Sequence, residues 1–221
     1  MRFSTFIDDT YPDQVRKNID RLVWGRLLSN ACYRFAPPFI AVIARGLDVT
    51  VAQMGVAFMI GEFAGLASPF IGRLVDRGNR VVSMTIGMAV LTLAVVVAAT
   101  STSLVVFAAS MFVLSGAKVL FDTALIVWVN DHVPYERRGH IVGIIETSWA
   151  LSLFIGVAIM GAATAIFSWR VGFLVGAIGM AITGALIVSA LPRHEAHAPT
   201  RTEIRGTVPR NGYFVFASAF L

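Results

Sequence analysis

The sequence predicts an all-α integral membrane protein, a bundle of six transmembrane helices followed by the start of a seventh. Three observations predict it. Of the 221 residues, 57% are hydrophobic and only 14% charged, whereas a soluble domain carries about 25% charge, so too little charge is left to cover a water-facing surface. The charges cluster in short segments separated by apolar runs of about 19 or more residues, the length that crosses a bilayer core. Lys and Arg in those segments alternate between a rich side and a poor side. Mean hydropathy is +0.75.

Residues 1–21 are polar, with Asp8, Asp9, Asp13, Arg16, Lys17, Asp20 and Arg21, and form an N-terminal segment rather than a cleavable signal peptide. The spans are placed at residues 22–44, 51–71, 81–99, 104–129, 141–167 and 171–191. Backbone polar groups in lipid must bond within the segment, so runs this long are helices. The alternating pattern of a membrane β-barrel strand is absent. Residues 192–212 form a polar linker containing Pro192, Pro199 and Pro209. Residues 213–221 (Tyr213 to Leu221) are apolar and aromatic; as a helix they reach about 13–14 Å, under half the hydrocarbon thickness. They read as a truncated seventh span, making the chain a fragment or truncated half; a short interfacial tail is the alternative.

The arginine distribution orients the bundle. One side holds Arg2, Arg16, Lys17, Arg21, Arg73, Arg77, Arg80, Arg137, Arg138, Arg193, Arg201, Arg205 and Arg210; the other holds Arg45 and Arg170. Thirteen against two places the N-terminus in the cytoplasm of a multi-pass cell-membrane protein. The formal charge of +5 does not imply nucleic acid, because the arginines lie in loops and form no basic amphipathic face. Cys32 is the single cysteine, which leaves no intrachain disulfide. No metal-ligand spacing, nucleophile elbow or catalytic carboxylate pair stands in the spans, so no enzyme, cofactor or metal is expected. His132, His140, His194 and His197 lie in loops or at span edges and read as surface residues.

Between the second and third spans stands Gly72-Arg73-Leu74-Val75-Asp76-Arg77-Gly78-Asn79-Arg80. Small residues suit a sharp turn at the membrane surface. Asp76, placed just before the third span, is expected to favour that helix's N-terminus, with Arg73, Arg77 and Arg80 pairing with it or with anionic lipid. The segment resembles the signature loop G-x-L-a-D-r-x-G-r-r of the major facilitator superfamily, matching at Gly72, Leu74, Asp76, Arg77 and Arg80. Asn79 stands at the second glycine, where it tolerates a left-handed turn, and Val81 replaces the last basic residue. Phe35-Ala36-Pro37-Pro38-Phe39, Pro134-Tyr135-Glu136-Arg137-Arg138-Gly139 and Trp169-Arg170 with Phe173 agree with the same family. The resemblance covers residues 22–192. It implies a transporter's N-terminal half, whose signature loop latches the cytoplasmic side against a C-terminal half.

Gly61, Gly65, Ser68 and Gly72 share one face of the second span, and Gly172, Gly176, Gly179 and Thr183 one face of the sixth. Such stripes are expected to pack helices closely. Charges within spans are costly, at least ~2.5–3.5 kcal/mol each at the bilayer centre, and therefore mark functional candidates. Arg26, Asn30 and Arg34 recur every four residues in the first span, with Ser29 and Tyr33 on the same stripe. Arg26 is read as snorkelling to the surface; Arg34 is too deep for that. Lys118 and Asp122 face one way in the fourth span, either as a structural ion pair or, by the resemblance, on the substrate path with Arg34. Glu62 and Glu146 are candidate carriers of a coupling proton, Glu146 having the alternative of bonding Arg137 or Arg138. The fifth span has Gly156 and Gly161 but not the proline of the family's antiporter signature.

The function expected is proton-coupled secondary transport of a small organic solute by alternating access. The partners expected are that solute, the proton, the lipid bilayer, and a missing C-terminal half or a second copy. A non-transporting membrane scaffold is the alternative. Arg34 and Lys118 suit an anion, while Glu62, Asp122 and Glu146 suit a cation or drug, and the sequence leaves that choice open.

Overall fold

The computed structural model describes residues 13–191, together with Phe3 and Ile7; the linker 192–212 and the seventh-span segment 213–221 lie outside the described residues. Six long apolar helical spans run Val15–Gly46, Val51–Arg77, Arg80–Thr100, Leu104–His132, Tyr135–Ile166 and Trp169–Ala190. No strand occurs among the described residues. The connections are two to four residues long, which forces consecutive spans to run antiparallel.

Sequence features set these boundaries. Thr50, Asn79, Ser103 and Ser168 each cap a helix N-terminus, the side chain accepting from the backbone N–H three residues on. Thr50 and Gln53 form a full capping box. Asp48, in the loop just before it, has φ 55°, a left-handed conformation that aspartate tolerates. In the first span the α-helix Asp13–Phe35 gives way to a 3-10 turn at Pro37–Phe39 and resumes as Ile40–Gly46, since proline removes a donor and crowds the preceding turn. In the fifth, Ser152–Val157 form a π turn facing the first span.

The spans extend past their apolar cores. The first helix begins at Asp13, inside the segment 1–21 expected to precede it. The second runs through Arg77 and the fifth begins at Tyr135. Asp76 therefore sits in the last turn of the second span, not at the entrance to the third. Asn79 is extended (φ −78°, ψ 123°), and its Oδ1 caps the third helix by accepting from Val82 N at 3.1 Å; capping, not a left-handed turn, explains this residue.

The fourth span packs against the second and third, the first against the fifth and sixth, and the third against the sixth. Mapping spans one to three onto four to six reproduces these pairings, the arrangement of two inverted three-helix repeats. The sixth-span glycines serve as expected. A Cβ at Gly176 would lie 2.5 Å from Cys32 Sγ, and one at Gly179 3.2 Å from Leu28, both of the first span. The second-span stripe does not. Gly61 meets Met111 of the fourth span, but Gly65 and Gly72 have open space where a Cβ would be. An aromatic cluster fixes one end of the bundle: Phe35 against Phe39 and Phe173, and Phe107 against Phe58, Trp169 and Phe173.

Candidate functional site

Lys118 is the central residue of the 29-residue span Leu104–His132. Arg34, Glu62 and Trp149 each lie within about four residues, roughly 6 Å of rise, of the centres of their own spans. These four side chains therefore share the middle layer of the bundle. A cavity of about 300 Å³ opens there between the first, second, fourth and fifth spans. Tyr33, Arg34, Glu62 and Ser115 supply its polar wall; Phe58, Met111, Leu114 and Leu153 supply much of the apolar remainder.

Tyr33 Oη donates to Glu62 Oε1 at 2.5 Å, tying the first span to the second. The Lys118 ammonium lies 5.8 Å from the centre of the Tyr33 ring. Arg34 stacks 4.3 Å over the Trp149 ring of the fifth span. Such a contact returns about 0.5–2 kcal/mol, less than the ~2.5–3.5 kcal/mol for placing an arginine at this depth. Arg34 makes no ion pair among the described residues. Glu62 likewise meets no cation within ion-pair distance there.

One turn away, toward the end holding the 78–79 and 133–134 loops, the charges are joined. Lys118 Nζ lies 2.6 Å from Asp122 Oδ2. Arg26 Nη1 lies 2.8 Å from Glu146 Oε1, and its Nε lies 3.5 Å from Asp122 Oδ1. Arg26 Nη1 also donates to the Ile145 carbonyl. Arg26 thus does not snorkel: its side chain is 12% exposed and it spans three helices. Glu146 bonds Arg26 rather than Arg137 or Arg138, and Arg138 donates instead to the carbonyls of Val133 and Asn130. Asn30, between Arg26 and Arg34 on the same stripe, is 2% exposed, and its Nδ2 finds no hydrogen-bond partner among the described residues.

The signature-loop residues divide. Arg80 pairs with Asp131 at the end of the fourth span (3.1 Å) and donates to the Gly78 carbonyl. Asp76, Arg77, Leu74 and Arg73 are exposed, and the pairing of Asp76 with these arginines does not occur among the described residues. Spacing alone thus identifies Lys118–Asp122, whereas the roles of Arg26, Tyr33 and Trp149 depend on contacts between spans that local sequence does not encode.

The Major Facilitator Superfamily profile matches residues 22–220. The chain is 25% identical over 134 residues to the uncharacterized MFS-type transporter YwfA of Bacillus subtilis, covering 60% of this chain and 32% of that one. It is 26% identical over 127 residues to the uncharacterized MFS-type transporter MJ1560 of Methanocaldococcus jannaschii, covering 56% of this chain and 32% of the relative. The matched stretch thus spans about a third of the length of these curated relatives. In fold, the chain is similar to a bacterial homolog of the human lysosomal transporter Spinster, solved inward-facing and unoccupied. The TM-score is 0.73 at 14% identity, over 95% of this chain and 50% of that one. With six apolar helices and a family match over nearly its whole length, the chain is a multi-pass membrane protein and belongs to the major facilitator superfamily, a family of transporters.

Proposed function

We propose that this chain forms one six-span half of a proton-coupled secondary transporter for a small organic solute, completed by a second half or a second copy. The observation that carries the reading is the mid-bundle cavity walled by Arg34, Glu62 and Tyr33, at the depth where rocking repeats give alternating access. Family membership and the relatives' transporter names support it. Arg34, Lys118, Asp122, Glu62 and Glu146 line or brace the substrate and proton path; Gly72, Leu74, Asp76, Arg77 and Arg80 form the gate. The arginine bias supports a cell-membrane protein with a cytoplasmic N-terminus, which labelling of single cysteines introduced at Thr102 and Arg137 tests by reporting opposite compartments.

The functional test is solute accumulation driven by a pH gradient in proteoliposomes holding the protein. Wild type should accumulate solute, and Arg34→Gln and Lys118→Met should each abolish accumulation. Uptake indifferent to the gradient removes the proton coupling. No uptake by wild type across a panel of organic acids, amines and neutral solutes favours the scaffold reading.

A further inference from the structure

Six charged side chains lie in the middle layer of the bundle and the turn next to it: Arg26, Arg34 and Lys118 against Glu62, Asp122 and Glu146. Their formal charges cancel when all are ionised. Four are already committed to one another, through Lys118–Asp122, Arg26–Glu146 and the longer Arg26–Asp122 contact. Arg34 and Glu62 remain without an opposite charge among the described residues, and both line the cavity. Ligand chemistry therefore depends on this pair and not on the joined four.

Resting on the transporter reading above, we infer that the solute is a small monoanion with an apolar body, a carboxylate in class, bound through Arg34 and carried together with one proton on Glu62. The Trp149 ring covers one face of the Arg34 guanidinium. The edge, where the planar N–H fork lies, is the part that takes a carboxylate with two parallel hydrogen bonds. Ala36, Pro37, Phe58, Leu114 and Leu153 offer the body an apolar wall. A cavity of about 300 Å³ stands at the small end of ligand sites.

Charge balance supplies the proton. A bound monoanion takes these six groups to a net −1 unless an acid is neutralised, and Glu62 is the acid without a cation among the described residues. The groups facing it are Tyr33 and Arg34 from the first span, and from the fourth Ser115, with Lys118 on the Tyr33 ring. The third and sixth spans bring no ionisable group to the cavity wall, and the fifth brings Leu153. A cationic solute would pair with Glu62 and leave the six at a net +1. Arginine does not release a proton to restore neutrality, and Lys118 is held by Asp122.

The test is isothermal titration calorimetry of the detergent-solubilised protein with three probes of similar size and different head-group charge: benzoate, benzamide and benzylamine. At about pH 6, benzoate should bind at least about tenfold tighter than either of the others. Its affinity should fall as pH rises, with proton uptake on binding. Arg34→Gln should weaken benzoate at least about tenfold, and Arg34→Lys should retain part of the affinity, which separates loss of charge from loss of fold. Glu62→Gln should bind benzoate with no pH dependence. Benzamide or benzylamine binding as tightly as benzoate, benzoate binding indifferent to Arg34→Gln, or no saturable binding of any probe overturns the inference. Pronounced benzoate binding without gradient-driven benzoate uptake in proteoliposomes overturns the transporter reading alone. Gradient-driven uptake of another solute without benzoate binding overturns the substrate class alone.

Discussion

Arg26 of the first span and Glu146 of the fifth form a 2.8 Å ion pair, and the same guanidinium lies 3.5 Å from Asp122 of the fourth span. One side chain thus joins three helices at the layer beneath the cavity, and Lys118 completes the group.

The two acids of that group should differ in their effect on stability. Asp122→Asn leaves Lys118 without its partner in a buried setting and is expected to destabilise the protein by about 3 kcal/mol. Glu146, whose side chain is 52% exposed, is screened, and Glu146→Gln should lose about 1 kcal/mol or less. Unfolding free energies in mixed micelles compare the two; equal losses would show that Glu146 is as deeply committed as Asp122.

Lys118 and Asp122 should behave as a unit. The double variant Lys118→Met with Asp122→Asn is expected to lose about 1–2 kcal/mol less than the sum of the single losses, because each single change strands a charge that the other removes. A double-mutant cycle measures this directly, and additive losses would contradict the 2.6 Å pairing.

Glycines in the two stripes should respond oppositely. Gly176→Ala drives a methyl against Cys32 and Met160 and should lower stability by about 1–3 kcal/mol through overpacking. Gly65→Ala enters open space and should stay within about 0.5 kcal/mol of wild type. Thermal unfolding in detergent reads both, and a strongly destabilised Gly65→Ala would mean that face is packed.

At the signature loop, Asp131→Asn should remove a pairing with Arg80 worth about 0.2–1 kcal/mol, with the loss fading at high salt. Asp76→Asn should leave stability unchanged, since Asp76 is exposed and makes no ion pair among the described residues, yet should slow transport if the loop gates. Unfolding scans at low and high salt, set beside uptake rates, separate the two roles.

The number and order of the spans are legible because each apolar run is long enough to cross a bilayer. Helix ends are less so. Asp13, Arg77 and Tyr135 extend their helices beyond the apolar core, and hydropathy records lipid thickness, not helix length. Lys118 and Asp122 are legible because four-residue spacing brings them together along one helix. Sequence alone misplaces Arg26 because an arginine near a span end has no visible reason not to snorkel; Asp122 and Glu146 reach it only through the folded arrangement. Asn79 suggests a turn by the residue it replaces, whereas its side chain caps the next helix.

The π turn at Ser152–Val157 has a further consequence. A turn closed from residue i to i+5 holds one residue more than an α-turn, so the two halves of the fifth span keep their facings only while that extra residue is present or removed at that spot. Removing Leu153 should convert the turn to ordinary helix and leave Gly156 near Ala31. Removing Ile141 should instead swing everything beyond it by about 100°, exposing its buried neighbours. Comparing how much of each deletion variant is recovered folded would show whether this span tolerates a change of length at that one place.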